Sequence, residues 1–490
     1  MQQQGRHVLS HAAVYLVARG LPGVVAFLAI PLFTRLLDPA EYGRYALVAA
    51  AVSLLNALLF QWLRLSLVRY LPVYQAGPAR FKSTLAAAAA VLIVVLGAGA
   101  LAVYVIPAGR AGRPVAGVCW VVLATQAIYE LCCEYARATI RPWYYMGLQL
   151  ARLSAAVGLG AVLVILGAGW WGPLVGSCVG MGAAVAYAYT RDWRDARLSF
   201  DREVLRRTCR YGLPLSLTVA LAVVVGTCDR FLIAWFLGEE SAGLYSVAYD
   251  FAGQTITLLM MVVQMAVFPL AVRAFEHDGP EAAGEHMRSN ASLLLAVGFP
   301  CFVGLAVLAP GVAGCFLGRG FRSAAAGIIP LVALGTFLAG LKSYHFDAAF
   351  QFADRTIYQV WIVLVTAVVN LALNLAAIPL LGINGAALAS ALAYVVSIAI
   401  TAYVGRRHFK LPFPGGAVLQ VLGATTAMAL LLYPLRDFRR PLAVAAEIAA
   451  GASLYGLILV SSNFFGLRDY TIEFWRRARA RGAVRTVPAC

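Results

Sequence analysis

Along the 490 residues, long apolar runs alternate with short polar breaks. A helix needs roughly 20 mostly apolar residues to cross a bilayer. About fourteen such runs occur, over 12–33, 43–63, 84–106, 115–136, 147–168, 170–190, 211–237, 243–268, 291–317, 325–350, 357–380, 384–405, 416–434 and 442–465. They are rich in Ala, Val, Leu and Gly and lack the short alternating segments of a β-barrel, so helices are predicted. One long polar break, 191–210, follows the first six runs, and six more runs follow it. The expected fold is an all-α polytopic membrane protein of about 14 transmembrane helices. It divides into a six-helix lobe over 1–190, a basic linker over 191–210, a second six-helix lobe over 211–405, two additional spans within 406–465 and a basic tail over 466–490.

Two internal correspondences support a duplicated lobe. At an offset of 200, Leu36-Leu37-Asp38-Pro39-Ala40-Glu41-Tyr42-Gly43-Arg44-Tyr45 lines up with Phe236-Leu237-Gly238-Glu239-Glu240-Ser241-Ala242-Gly243-Leu244-Tyr245. At an offset of 213, Gly172-Pro173-Leu174-Val175-Gly176-Ser177 lines up with Gly385-Ala386-Ala387-Leu388-Ala389-Ser390. Each pair sits at the same place in its lobe, and parallel repeats of this kind put a substrate path between the lobes.

Composition narrows the function classes. The chain is 62% hydrophobic and 12% charged, against about 45–50% and 25% for soluble domains, which argues against a soluble enzyme or a nucleic-acid binder. The net charge of +17 is explained by its distribution. With the N-terminus inside, 28 of the 39 Lys and Arg fall on the inner side, nine outside, and Arg19 and Arg230 within spans. This bias predicts both termini cytoplasmic. The first run is too long for a signal peptide and contains Arg19, so it reads as a retained span. The nine cysteines lie mostly in apolar runs without a C-x-x-C pair; they are read as small hydrophobes, and no metal or cofactor is expected. No P-loop is present. The outer loops are too short for the folded domain that a polytopic glycosyltransferase or O-antigen ligase would need, so that reading ranks last and no enzyme activity is expected.

Particular residues then carry a resemblance. Ile30-Pro31-Leu32-Phe33-Thr34-Arg35-Leu36-Leu37-Asp38-Pro39, continuing through Glu41-Tyr42-Gly43 to Tyr45, resembles the opening of bacterial polysaccharide flippases, which share a superfamily with multidrug and toxic-compound extrusion proteins. Tyr211-Gly212-x-Pro214, Asp229-Arg230, Gly243-x-Tyr245 and the stretch from Asn374 through Pro379 to Gly382-Ile383-x-Gly385-Ala386-Ala387 are similar too. The resemblance implies two six-helix bundles around a central, often cationic cavity. It implies a lipid-linked glycan as substrate: a polyprenyl-diphosphate-linked oligosaccharide moved by alternating access from the cytoplasmic to the outer leaflet of the bacterial inner membrane, for cell-surface polysaccharide biosynthesis. Other polysaccharide-assembly proteins are further candidate partners. The alternative is a multidrug or cation antiporter of the same fold.

Ionisable groups within spans are costly and normally face a cavity or a partner. Arg19, followed by the helix-opening Gly20, Pro22 and Gly23, is a candidate for the substrate diphosphate; snorkelling to the interface is the plainer reading. Asn56, Gln61, Arg64 and Arg152 join it as candidate substrate contacts. Glu130 and Glu134 share a helical face, with Arg137 one turn further and Arg152 within reach, and form a structural network, a substrate contact or a gating or coupling site. Arg230 and Asp250 can approach each other from adjacent antiparallel helices, either as a structural ion pair closing the outer end of the second lobe or as an outer gate. Asp229 or Asp250 is a candidate for proton or sodium coupling, because a carboxylate in a dry interface can hold a proton near neutral pH. Lys342, Asp347, Asn370 and Asn374 are accounted for by solvent or interhelical hydrogen bonds. The linker and tail arginines are expected to meet anionic membrane lipids.

Overall fold

The computed structural model describes residues 20–74, 77–105, 113–197, 199–436, 438, 440–466 and 468. Among them every regular element is helical: α1 (Gly20–Leu36), α2 (Pro39–Leu59), α3 (Gln61–Tyr70), α4 (Pro78–Val105), α5 (Arg113–Ala138), α6 (Pro142–Leu163), α7 (Trp171–Ala188), α8 (Arg202–Asp278), α9 (Pro280–Val307), α10 (Ala309–Phe316), α11 (Arg322–Leu341), α12 (Ala348–Phe352), α13 (Ile357–Leu381), α14 (Ile383–Gly405), α15 (Gly415–Leu432) and α16 (Pro441–Ser461). Twelve segments among the described residues are long and apolar enough to cross a membrane. One of them, the 77-residue α8, contains two of the expected spans, 211–237 and 243–268, joined by a reversal at Gly238 (φ 87°, ψ 171°), and the first expected span, 12–33, lies partly outside the described residues.

That reversal folds α8 into a hairpin. Tyr245 Oη lies 2.8 Å from Asp229 Oδ2, whereas sixteen residues of straight helix would hold them about 24 Å apart. The ends of the helices follow local rules. Asp38 caps α2 by accepting the Glu41 amide at 2.8 Å, with Pro39 opening the first turn. Asp201 caps α8 by accepting the amides of Glu203 and Val204 and pairs with Arg80. The Val204 amide above all holds its carboxyl below the usual carboxylate range.

In lipid, helix association rests on close packing rather than on expulsion of apolar surface from water. The chain accordingly puts small residues at its helix contacts. Gly172, Gly176 and Gly180, spaced by four along α7, lie against the α6 backbone: Cβ atoms on them would stand 2.7 Å from the carbonyl oxygens of Gly160, Ala155 and Ala151 respectively. Gly385, Ala389 and Ala393 hold the matching positions on α14 and are buried. The turns before the two helices share a backbone shape as well, Gly169 at φ 53°, ψ −138° and Gly382 at φ 61°, ψ −141°.

The two copies of the first repeat meet face to face. A Cβ on Gly43 would overlap the carbonyl oxygen of Glu239, and a Cβ on Gly243 would overlap that of Pro39. Positions 39 and 43 thus touch 243 and 239 reciprocally, as a two-fold relation between the α1–α2 and α8 turns requires. We call this the turn end of the molecule and the opposite side, which carries residues 191–201, the linker end.

Candidate functional site

The second half buries a carboxylate among neutral donors. Asp229, on the first arm of α8, is 1% exposed. Its Oδ2 accepts hydrogen bonds from Tyr245 Oη at 2.8 Å and Ser390 Oγ at 2.5 Å; its Oδ1 accepts from Asn374 Nδ2 at 2.8 Å. The Cys228 thiol lies 3.5 Å from Oδ1 and 3.0 Å from Asn370 Oδ1, and Asn370 Nδ2 donates to Ser390 Oγ at 3.1 Å. Four helical segments therefore converge: both arms of α8, α13 and α14. The Asn374 side-chain oxygen is buried beside the carboxylate without a donor. Tyr245 and Ser390 also line a cavity of about 90 Å³ with Tyr249, Thr257, Thr336 and Tyr394. A buried carboxylate without a basic partner is costly unless a proton or cation joins it, and oxygen ligands of this kind suit a hard cation.

Asp229 and its neighbour Arg230 serve different partners, since successive helical residues point about 100° apart. Arg230 pairs with Asp250 at 2.5 Å and lies over the Tyr249 ring at 5.3 Å. The expected pairing of Arg230 with Asp250 is present. Tyr42 of the first half adds to it, with its hydroxyl 3.5 Å from Asp250. Arg44 pairs with Glu239 at 2.6 Å, Arg35 donates to the Cys315 carbonyl at 3.0 Å, and the Gly318 amide donates to Thr34 at 3.2 Å. Together with Gly43 and Gly243, these contacts seal the turn end between the halves.

The first half concentrates its charge nearer the linker end. Arg64 on α3 pairs with Glu130 on α5 and with the Gln61 side chain. Asn56 Nδ2 and Gln126 Nε2 donate to the same glutamate at 2.8 and 2.7 Å. One turn along, Glu134 pairs with Arg137 at 3.1 Å. Gln61, Arg64, Arg69, Glu134, Arg137 and Tyr211 line a pocket of about 420 Å³ at this end. The pocket therefore presents three arginines against one glutamate, with the Arg64 Nε buried and unpartnered. Below it, Ser66 Oγ donates to the Thr208 carbonyl at 3.1 Å, and the backbone of Gly212 sits against Trp62.

The structure thus brings Asn56, Gln61, Arg64 and Glu130 into one network, and Glu134 shares the pocket wall with Gln61 and Arg64. Arg152 lies with its guanidinium 5.7 Å from the centre of the Tyr129 ring, and its Nε is buried without a hydrogen-bond partner. Arg19 lies outside the described residues. Lys342 and Asp347 form a buried pair at 2.9 Å, and Asn370 and Asn374 make the interhelical bonds assigned to them. Sequence reasoning missed Arg69 and Tyr211 in the pocket, and Tyr245 and Ser390 around Asp229. The last two had a signal: both occupy positions repeated in the first half, as Tyr45 and Ser177.

Comparison with known proteins places this geometry. A family model described as polysaccharide biosynthesis protein matches residues 32–326. A probable flippase, AglR, from Haloferax volcanii is 26% identical over 246 residues, which cover 48% of this chain and 50% of that protein; the chain thus spans half the length of this relative. The fold is that of the lipid II flippase MurJ in an inward closed conformation, with a TM-score of 0.77 at 14% identity over 94% of this chain and 100% of that one. An inward-facing multidrug resistance MATE family transporter of the MOP superfamily has the same fold more loosely, with a TM-score of 0.59 at 16% identity over 81% and 97% of the two chains.

Proposed function

Because the chain belongs to the polysaccharide biosynthesis protein family, we propose that it is a flippase that moves a polyprenyl-diphosphate-linked oligosaccharide from the cytoplasmic to the outer leaflet of the bacterial inner membrane by alternating access. One observation carries the reading: a pocket with Arg64, Arg69 and Arg137 at the linker end, opposite a turn end that the two halves seal. The excess of Lys and Arg assigns the linker end, with both termini, to the cytoplasm. Guanidinium groups hold a diphosphate bidentately, so these arginines receive the head group, and Arg19 in the first span joins them. Asn56 and Gln61 offer amides to the sugar. Glu130 neutralises Arg64 while the pocket is empty and releases it to the diphosphate. Arg152, beside Tyr129, is a further contact. Opening then needs the Gly43–Gly243 contact and the Arg230–Asp250–Tyr42 seal to part.

Asp229 is the coupling site in this reading. A proton or sodium ion there neutralises the carboxylate within the second half and shifts its helices between two packings. The same cluster favours a second reading, a cation-coupled drug antiporter of the same fold. One experiment separates them. The full-length protein in proteoliposomes is expected to flip a short-chain prenyl-diphosphate oligosaccharide, with Arg64→Gln lowering the rate at least tenfold. Absence of flipping, with export of organic cations against a proton or sodium gradient, would overturn the flippase in favour of the antiporter.

A further inference from the structure

A groove on the first half lies apart from the Arg64 pocket and the Asp229 cluster, sharing no lining residue with either. Its walls are Ala86, Ala89, Ala90, Ile93 and Val94 of α4 and Val185 of α7 with Tyr189 and Trp193 beyond it; Ile128, Leu131 and Cys132 of α5 form its floor. The volume is about 540 Å³. It exists because α4 offers methyl groups where larger side chains would have closed the gap to α7. From Ala86 to Val94 the wall runs about 12 Å into the bilayer from the linker end.

Two features at the mouth point to an amphiphile. Trp193 lines the groove, is 8% exposed, and has an indole N–H without an acceptor. Such a group is expensive to bury unpaired, so it calls for an acceptor from outside the protein. The charge beside it is also one-sided. Asp195 is engaged by Lys82 Nζ at 2.5 Å and Asp192 by Arg141 at 2.8 Å. With those acids neutralised, the exposed Arg194 and Arg197 leave a positive rim at head-group level.

From this juxtaposition we infer that the groove is a binding site for one anionic phospholipid. An acyl chain lies along α4 over α5, an ester or phosphate oxygen accepts the Trp193 N–H, and the charged head group meets Arg194 and Arg197. The occupant is not the transported lipid. The halves meet chiefly through α1, α2 and α3 against the second half, whereas the groove opens between α4, α5 and α7, and a chain attached to a head group between the halves would leave the protein elsewhere. The inference goes beyond the proposed transport and stands whatever the cargo is.

Native mass spectrometry tests it on the full-length protein, after equilibration with vesicles of equal parts phosphatidylglycerol and phosphatidylcholine. The wild type is expected to retain one phosphatidylglycerol. Ala90 is only partly buried, so Ala90→Phe can fill the groove from its wall and is expected to lower retention at least tenfold. Arg194→Gln with Arg197→Gln removes the preference for phosphatidylglycerol, also by about tenfold or more, since each surface arginine contributes roughly fivefold. Equal retention in Ala90→Phe, no preference in the wild type, or a polyprenyl phosphate as the retained lipid would overturn the site. Should Ala90→Phe fail to fold, brominated phosphatidylglycerol provides the test. It is expected to quench the Trp193 fluorescence, taken as the difference between wild type and Trp193→Phe, more than brominated phosphatidylcholine does. Equal quenching would overturn the proposal.

Discussion

In the first half, position 29 is an alanine; its counterpart 200 residues on is Asp229. Position 161 is an alanine and its counterpart at offset 213 is Asn374; position 157 is a valine and its counterpart is Asn370. Around these differences the packing residues are kept: Gly43 with Gly243, Tyr45 with Tyr245, Gly172 with Gly385, Ser177 with Ser390. The repeat therefore holds constant what the helices need in order to approach and varies what the site needs for its chemistry. Only the second half combines the tyrosine and serine with a carboxylate and two amides. The first half instead carries paired Arg and Glu on α3 and α5, which have no part in the repeat contacts.

Substitutions at matched positions can break or sharpen this contrast. The largest effect is expected from Gly43→Val or Gly243→Val. Either side chain would overlap a backbone carbonyl of the other half, and overpacking of this kind costs about 1–3 kcal/mol or more. Separating the halves is the relief open to it. Spin labels on the two turns should therefore move apart, and flipping should fall well over tenfold in proteoliposomes. Gly172→Val offends only its own half, so it should lower the melting temperature and leave the distance between the turns unchanged. If both variants behave alike, the division into packing within and between halves is wrong.

Next comes Asp229→Asn. It should keep the fold, because its partners are neutral hydrogen-bonding groups, and lower ion-stimulated flipping roughly tenfold, a loss of about 1.4 kcal/mol. Ala29→Asp in the first half should not restore it. Tyr245→Phe removes a donor to the carboxylate and should shift the ion concentration for half-maximal flipping several-fold; Tyr45→Phe should leave that value in place. A double-mutant cycle on Arg230→Gln and Asp250→Asn is expected to show a coupling of about 1–3 kcal/mol in thermal unfolding, for a pair that bridges the arms of α8 and touches Tyr42. The smallest effect concerns the linker. The Asp201 carboxyl is held below its ordinary value of 3.8 by the amides it caps, so its contribution is present above about pH 4 and is lost as pH falls through the lower native value. Asp201→Ala should reduce stability slightly at pH 7, and the gap to wild type should close on acidification.

Much of this was legible in the chain, and for local reasons. Apolar length marks a membrane helix because the hydrocarbon core has a set thickness. Gly43 with Gly243 and Gly172 with Gly385 could be seen as a repeat because close backbone approach admits little but glycine. Arg230 with Asp250 was legible because a short turn forces the two arms of α8 to run antiparallel. The break in the 77-residue α8 was legible too, as the gap between the runs 211–237 and 243–268; its form, a backbone reversal at Gly238, was not, because hydropathy carries no backbone angle.

Read alone, the sequence determines an all-helical membrane protein with a duplicated half, and it marks which residues carry charge into the bilayer. Those properties depend on neighbours in the chain and on the cost of burying charge. Which charges meet is another matter. That Asp229 faces Tyr245, Asn374 and Ser390 rather than Arg230, and that Glu130 holds Arg64, depends on helices up to 161 residues apart coming into register. Only the tertiary structure decides that, because a side chain's partner is set by the packing of whole helices, and the same arginine or aspartate could be satisfied by several others.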